Sequence, residues 1–561
     1  MIRRVFSRYK KTLIIGGSIL LTLFILLLIF VNRFIEPILK DRLHTLIIQG
    51  SDSLYTYTLG KLNANFYGGN VEVENLQINI DSNRYQYLRA RNALPSLTMQ
   101  LSLQRGHIKG VGIIDLLFGR KVRIEEIMSK QADIKLTRHV HRRNHVTEEH
   151  LPVWKAIQPN ILSIFVRKIR LDGIKMLYKN ADTSESVKLQ FDRCDALFEN
   201  ILVDSAAAFD TTRIGFTKEI SMKFNDLKYR TSDSTYKMKA EWIKYSSKDR
   251  TLEVDSFKLQ PTLDKEDFYG AANRQTALYH IEFAKVRFVN TRLDHFIHNN
   301  VIDADSVVFE KPQVKIYNDK TLPPDFESKI GKFPQQRLQK ADPTIIVKHI
   351  SFSDASLELT EKDAKTNKEG TIAFTHLNLS AANVTNDSFL IRKNPVCTAN
   401  FNGTIFNSSP VSLSLKMRLD SLNGRFTASG FVKNVSASQL NEVAVPLANV
   451  QINSCTIHDL EFTISGEDYS ASGNVRMRYS NLSITLRKTD EETGEIKTKK
   501  FITKILNRFV IWPDNPGPDG IERVSQNAQV SRLTTQSFFG LIWKTIFAGM
   551  QDVMMKSGRY Q

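Results

Sequence analysis

Cysteine is nearly missing from this sequence: Cys194, Cys397 and Cys455 are the only three in 561 residues. Odd in number and far apart, they give no disulfide framework and no zinc-ligand spacing. They fall at inward positions of the β pattern described below, which predicts small core residues. Catalytic signatures are missing too. No phosphate loop, nucleophile elbow or dinucleotide fingerprint stands between a strand and a helix. The chain therefore does not read as an enzyme, and no cofactor is expected. No long low-complexity linker interrupts it, and after Val31 no run is apolar enough for a second bilayer span.

One histidine-rich stretch, "RHVHRRNHVTEEH", carries His139, His141, His145 and His150 beside Glu148 and Glu149. A His–x–His pair on a strand faces one side and could hold a metal. Arginines and acids break up the cluster and no second ligand set follows, so a solvated polar loop without metal is expected.

What is present begins with charge. Lys and Arg number 77 against 59 Asp and Glu, a net +18. Such a surface favours anionic partners, phosphate head groups or nucleic acid. The chain is too long for one ordinary core. With 42% hydrophobic and 24% charged residues it has the composition of a folded protein.

The run "LIIGGSILLTLFILLLIFV", Leu13 to Val31, is long enough to cross a bilayer as one helix. Arg3, Arg4, Arg8, Lys10 and Lys11 precede it, and positive flanks stay in the cytoplasm. The following "NRFIEP" offers no cleavage site. The expectation is a basic cytoplasmic segment at 1–12, an uncleaved signal anchor at 13–31, and the rest of the chain outside. That makes it a single-pass inner-membrane protein with a periplasmic bulk, for which nucleic acid is no partner. Residues 32–58, with Phe34, Ile38, Leu39, Leu43, Leu46 and Ile47 at helical spacing, read as a juxtamembrane amphipathic helix.

From residue 59 to about 490 a β pattern takes over. Its unit is two apolar residues in alternation, a double polar step, and two more. Val71, Val73, Leu76 and Ile78 form one copy; Met222, Phe224, Leu227 and Tyr229 another. Ile281, Phe283, Val286 and Phe288 repeat it, as do Ile350, Phe352, Ala355 and Leu357, and copies continue to Leu482 and Ile484. Period two puts the apolar side chains on one face. The double step would flip the face unless an inserted residue, a β-bulge, restores it; its residue types also suit a two-residue turn, and the bulge is favoured because clearer turns lie elsewhere. The prediction is an elongated, curved antiparallel sheet with one apolar face and few helices, near 153–162, 291–299 and from Ala437. Roughly 25 strands spaced about 4.8 Å apart would make a body on the order of 120 Å long.

A one-faced apolar sheet must be covered. A second sheet could do it; so could lipid acyl chains lying in a trough, each methylene gaining about 0.8 kcal/mol on leaving water. Within the closing region, 491–561, "FFGLIWKTIFAGMQDVMM" reads as an amphipathic contact helix with Phe539, Ile542, Trp543, Ile546 and Phe547 as apolar anchors.

The anchor, "GKLNANFYGGNVEVENLQINID" and "SGNVRMRYSNLSITLRK" together resemble AsmA-family proteins, which are similar in build to TamB and other repeating-β-groove lipid-transfer proteins. The length and "FFGLIWKTIFAGM" resemble the Bacteroidetes-type members. The resemblance implies an inner-membrane-anchored periplasmic protein that binds phospholipid in its groove and supports lipid transport to the outer membrane. The helix at 538–555 would meet the outer membrane or a protein in it. The alternative is an assembly factor or scaffold for outer-membrane proteins, working through exposed strand edges.

Overall fold

The computed structural model describes residues 47–139, 162–180, 187–489 and 496–556, apart from 49–50, 52, 66–68, 92, 96, 113–119, 232, 500–502, 504–506 and 508–509. The segments at 1–12 and 13–31 and most of 32–58 lie outside these residues. Among the described residues no helix is long and apolar enough to cross a membrane. The fold is mainly β, with 60% strand.

The chain divides into two compact units, Met1–Phe257 with Val289–Asn300, and Lys258–Phe288 with Val301–Gln561. Unit 1 contains β1 (Tyr55–Asn65), β2 (Asn70–Ile80), α1 (Ser82–Ala90), β3 (Leu97–Val111), β4 (Lys121–Arg138), β5 (Ser163–Asn180), β6 (Val187–Val203), β7 (Glu219–Arg230) and β8 (Tyr236–Ser246). Strand β9 (Thr251–Pro261) gives residues to both units. Unit 2 begins with α2 (Lys265–Ala271) and β10 (Ala277–Val289); α3 (Leu293–Asn299) belongs to unit 1. Unit 2 continues with β11 (Val301–Glu310), β12 (Gln313–Asp319), α4 (Pro334–Gln339), β13 (Thr344–Lys362), β14 (Glu369–Thr385), α5 (Ser388–Lys393), β15 (Val396–Ile405) and β16 (Ser409–Arg418). It closes with β17 (Phe426–Ser436), α6 (Ala437–Ala448), β18 (Val450–Gly466), β19 (Ser470–Thr489), β20 (Ile496–Thr498), β21 (Val524–Ser531) and α7 (Phe538–Met554).

The helices expected near 291–299 and from Ala437 are α3 and α6, whereas 153–162 lies almost wholly outside the described residues. Two boundaries move. Strand β1 begins at Tyr55, inside the stretch read as juxtamembrane helix, and β21 continues the sheet beyond 490.

In unit 1 each strand from β1 to β8 pairs with the next. In unit 2 the ladders run from β10 with β12 through to β19 with β21. The expectation of an antiparallel sheet holds for most pairs. It fails at β4–β5 and where β11 and β12 both lie beside β13, which are parallel. A parallel neighbour needs a crossover connection. Residues 320–343, with α4 inside them, make the second one.

The phase slip also differs from a simple bulge. Across β1 to β5, Gly60, Asn75, Gln104, Gln131 and Gly173 stand opposite one another at one level, and the register on either side of them is unbroken. No residue is inserted. Instead Asn75, Gln131 and Gly173 take left-handed backbone, with φ of 53, 54 and 68°. One such residue leaves two successive side chains on the polar face, after which alternation resumes with the apolar side inward. Asp226 does the same at φ 52°, again within unbroken register, and Asp354, His376 and Asn481 take the same backbone at φ 53, 48 and 57° beside local register shifts. Short polar side chains tolerate this region because they bond locally. Register shifts occur where β5 meets β6 and in β13–β14, β14–β15, β18–β19 and β19–β21, and in β13–β14 the register recovers within two residues.

Cys397 and Cys455 are buried in the unit 2 core, and Cys194 packs against a unit 1 cluster. Burial pushes the Cys194 thiol up to about 12 and the other two up to about 11. All three are therefore expected to stay protonated and resist iodoacetamide at pH 8, and to react together once denaturant is added. Mass spectrometry of the alkylated chain measures this. Rapid modification of Cys397 in the native protein would contradict the packed core.

Candidate functional site

The apolar face is covered unevenly. Unit 1 seals its early strands: Val71, Ile108, Ile124, Ile164, Val166 and Val203 are at most 2% exposed and pack in one cluster. Val73 joins that cluster, Leu76 packs half-buried against it, and Ile78 lies in a neighbouring one. Of these proposed groove residues, Val71, Val73 and Ile78 are thus closed in by protein, and Leu76 only in part. The later strands of unit 1 are different. Met222, Phe224 and Leu227 are only half-buried, and Tyr229 is exposed.

Unit 2 shows the same contrast. From β15 to α7 a dense cluster fills the interior, with Ala428, Ile464, Val475, Leu541 and Val553 fully buried. Its own helices supply the cover: α7 packs on β21 and β19, and α6 on β18 and β14. In β10 and β13, however, Ile281, Phe283, Phe288, Phe352 and Leu357 stay half-buried, as does Ile350, which packs against that cluster, while Leu278, Val286, Val347 and Ala355 are buried. The half-buried face is rich in aromatic rings. Phe283 meets Phe309 at 5.2 Å in unit 2, and Phe224 meets Phe191 at 4.7 Å in unit 1. Large apolar side chains left half open along successive strands form the kind of patch that marks a binding surface.

The five anchors expected on α7 split between two faces. Ile542 and Ile546 lie in the unit 2 core. Phe539, Trp543 and Phe547, four residues apart along the helix, point outward at 54, 57 and 44% exposure. Trp543 stacks on Phe547 with ring centroids 6.3 Å apart. The helix therefore serves as cover on one side and exposed aromatic ridge on the other. Ser537 caps its start by accepting from the Gly540 N–H. At Gly549 it comes so close to β19 that a Cβ there would lie 2.3 Å from Val475. Gly549→Val is accordingly expected to push α7 off the sheet and destabilise unit 2 by about 1–3 kcal/mol in chemical denaturation. A neutral effect would mean the helix is loosely seated.

The C-terminal end of unit 2 also holds a buried polar knot that sequence reasoning missed. Arg532 donates to the Asp468 carboxylate at 3.1 Å, and their side chains are 1% and 5% exposed. Gln336 donates to the other carboxylate oxygen at 2.6 Å and the Gly331 N–H to the first at 3.0 Å. The Arg532 guanidinium also reaches the Lys329 and Gln536 carbonyls at 2.8 Å each and lies over the Phe333 ring. Burial draws its pKa below the ordinary value, against the pull of Asp468. Arg532 and Asp468 are 64 residues apart, and no local spacing links them.

Of the histidine cluster, His139 is buried against Thr98, its Nε2 3.0 Å from the hydroxyl, with the Tyr85 ring nearby. His141, His145 and His150 lie outside the described residues. Among those described, no group of three His, Cys, Asp or Glu is placed to hold a metal. Comparison with known proteins found no matching family model and no matching curated protein, so any reading of function starts from this geometry.

Proposed function

We propose that this protein is anchored in the inner membrane by residues 13–31 and binds phospholipid acyl chains on the half-open apolar faces of its two units. In that role it supports lipid movement toward the outer membrane, as the resemblance to AsmA-family proteins implies. The observation that carries the reading is the contrast within each unit. One set of strands has its apolar face sealed by protein, while Met222, Phe224 and Leu227 in unit 1, and Phe283, Phe288 and Phe352 in unit 2, are left half-buried. Acyl chains suit such a face because apolar contacts are non-directional and let a chain slide. The outward ridge of α7 fits contact with the outer membrane or a protein in it.

Mass spectrometry of lipid extracted from the purified full chain tests this. Phospholipid in about one or more copies per chain is the expected result. A lipid-free chain that instead co-purifies with unfolded barrel proteins would move the function to outer-membrane protein assembly. Topology has its own check. A reporter enzyme active only in the periplasm, fused after Gln561, is expected to be active, and activity of a cytoplasm-only reporter there would remove the envelope role altogether.

A further inference from the structure

We propose that the end of unit 2 built around the Asp468–Arg532 pair is a membrane-inserting tip whose partner is a phospholipid leaflet carrying anionic head groups. This extends the lipid-binding reading and rests on it only for the presence of lipid around the chain.

Three turns meet there, and each raises an apolar side chain. Leu422, between β16 and β17, is 98% exposed. Tyr469, between β18 and β19, is 62% exposed, and Leu533, between β21 and α7, is 65% exposed. Backbone bonds tie the turns together: the Asp468 N–H donates to the Asn423 carbonyl at 2.9 Å and the Arg532 N–H to the Tyr469 carbonyl at 2.8 Å. Gln336 holds the Leu422 carbonyl at 2.9 Å while bonding Asp468. The tips are thus held by a buried network. Exposing a leucine almost completely on a braced turn gains nothing in water. A protein partner would be met by a continuous apolar core. Separate apolar tips on braced turns suit a bilayer interface, where Leu enters the acyl boundary and Tyr sits at head-group level.

Charge selects the leaflet. On the polar face of the same strands lies a shallow cleft containing Lys416, Arg425, Ser465, Ser470 and Ser472. Glu467 is the one acid lining it. Arg425 Nε stands 4.0 Å from that carboxylate, which also accepts from Asn423. Lys416 has no ion-pair partner among the described residues. Cations and hydroxyls beside apolar tips complement a phosphate layer lying over acyl chains.

The test uses the full chain reconstituted into phosphatidylcholine vesicles with about one-third phosphatidylglycerol. A photoreactive phenylalanine analogue replaces Leu422, Tyr469 or, as an equally open control in unit 1, Phe209, which is 79% exposed. Phospholipid adducts are expected at positions 422 and 469 at roughly ten times the yield at 209. The K416E/R425E double substitution should lower those adducts roughly tenfold on the anionic vesicles and leave them unchanged on phosphatidylcholine alone. All these positions are at the surface, and a thermal melt of each variant verifies folding. Equal yields at 422, 469 and 209, or adducts to protein alone, overturn the tip. Insensitivity to K416E/R425E overturns its preference for anionic head groups. Lipid extracted from the same variants keeps the two readings apart. Tip variants that lose adducts but retain extracted phospholipid support a tip distinct from the apolar face. Adducts that persist on a chain yielding no extracted lipid count against the face and for the tip.

Discussion

Arg532→Met is expected to destabilise unit 2 by about 3–5 kcal/mol, because it leaves the Asp468 carboxylate buried without its counter-charge. Surface ion pairs give at most about 1 kcal/mol, and the difference lies in solvent. Here both side chains are almost fully enclosed. The guanidinium also donates to the Lys329, Gln536 and Asp468 carbonyls, so three further hydrogen bonds are lost, though the Lys329 carbonyl keeps the Lys332 N–H. Adding Asp468→Asn to Arg532→Met should recover about 2 kcal/mol, since an amide is far cheaper to bury than an unpaired carboxylate and can still accept from Gly331. Urea titration of the three variants measures both values. A loss below about 1 kcal/mol for the single change would mean that water reaches the pair and screens it.

Placing aspartate on the apolar side chains is expected to separate two kinds of surface. Leu541→Asp puts a charge where the native side chain is 0% exposed, among the apolar residues of the unit 2 core, and should unfold unit 2 at a cost above about 4 kcal/mol. Phe283→Asp and Phe352→Asp sit on half-buried positions where the carboxylate can turn to water. They should cost only about 1–2 kcal/mol in lost ring packing, with Phe309 and Phe401 as the rings left behind. Their phospholipid content, however, should fall severalfold. Thermal melts and lipid extraction on the same preparations give both readouts. If Phe283→Asp and Phe352→Asp unfold the protein as Leu541→Asp does, those faces are closed cores, and the lipid reading fails. Deleting Phe538 to Gln561 is a poor test of the contact helix, since it strips Phe538, Leu541, Ile542 and Ile546 from the core. Replacing Phe539, Trp543 and Phe547 with serine removes the outward ridge alone.

The alternation of Val71, Val73, Leu76 and Ile78 was enough to announce β2 and its inward face, because period two survives any tertiary context. The slip at Glu74–Asn75 was legible as well, but not its mechanism. A left-handed Asn75 and a bulge leave the same apolar spacing, and only the unbroken register between Leu59–Leu76 and Lys61–Glu74 tells them apart. Parallel neighbours at β4–β5 were invisible for a related reason: alternation fixes the face of a strand and says nothing about the direction of the next one. Helix α1 lacks an apolar stripe, yet Asp81 accepting from the Arg84 N–H marks its start, as Asp264 and Asp387 mark α2 and α5. The helices that these caps open are only 9, 7 and 6 residues long, too short for a helical period to stand out beside the strand pattern. On α7 the mixed apolar composition concealed two faces. Leu422, Tyr469 and Leu533 are single apolar residues in polar turns, and only the fold brings them together.

The order of the ladders sets a timetable. Every strand pair described here joins neighbours, or next-but-one neighbours, in chain order. Contacts so close in sequence close short loops, which favours fast, stepwise folding as the chain emerges. The bonds at the end of unit 2 obey another clock: Gly331 waits for Asp468 across 137 residues, and Lys329 for Arg532 across 203. Until α7 is made, the last strands keep an uncovered apolar flank. Helix α7 is thus a late cover, closing the face of β19 and β21 only after those strands have paired.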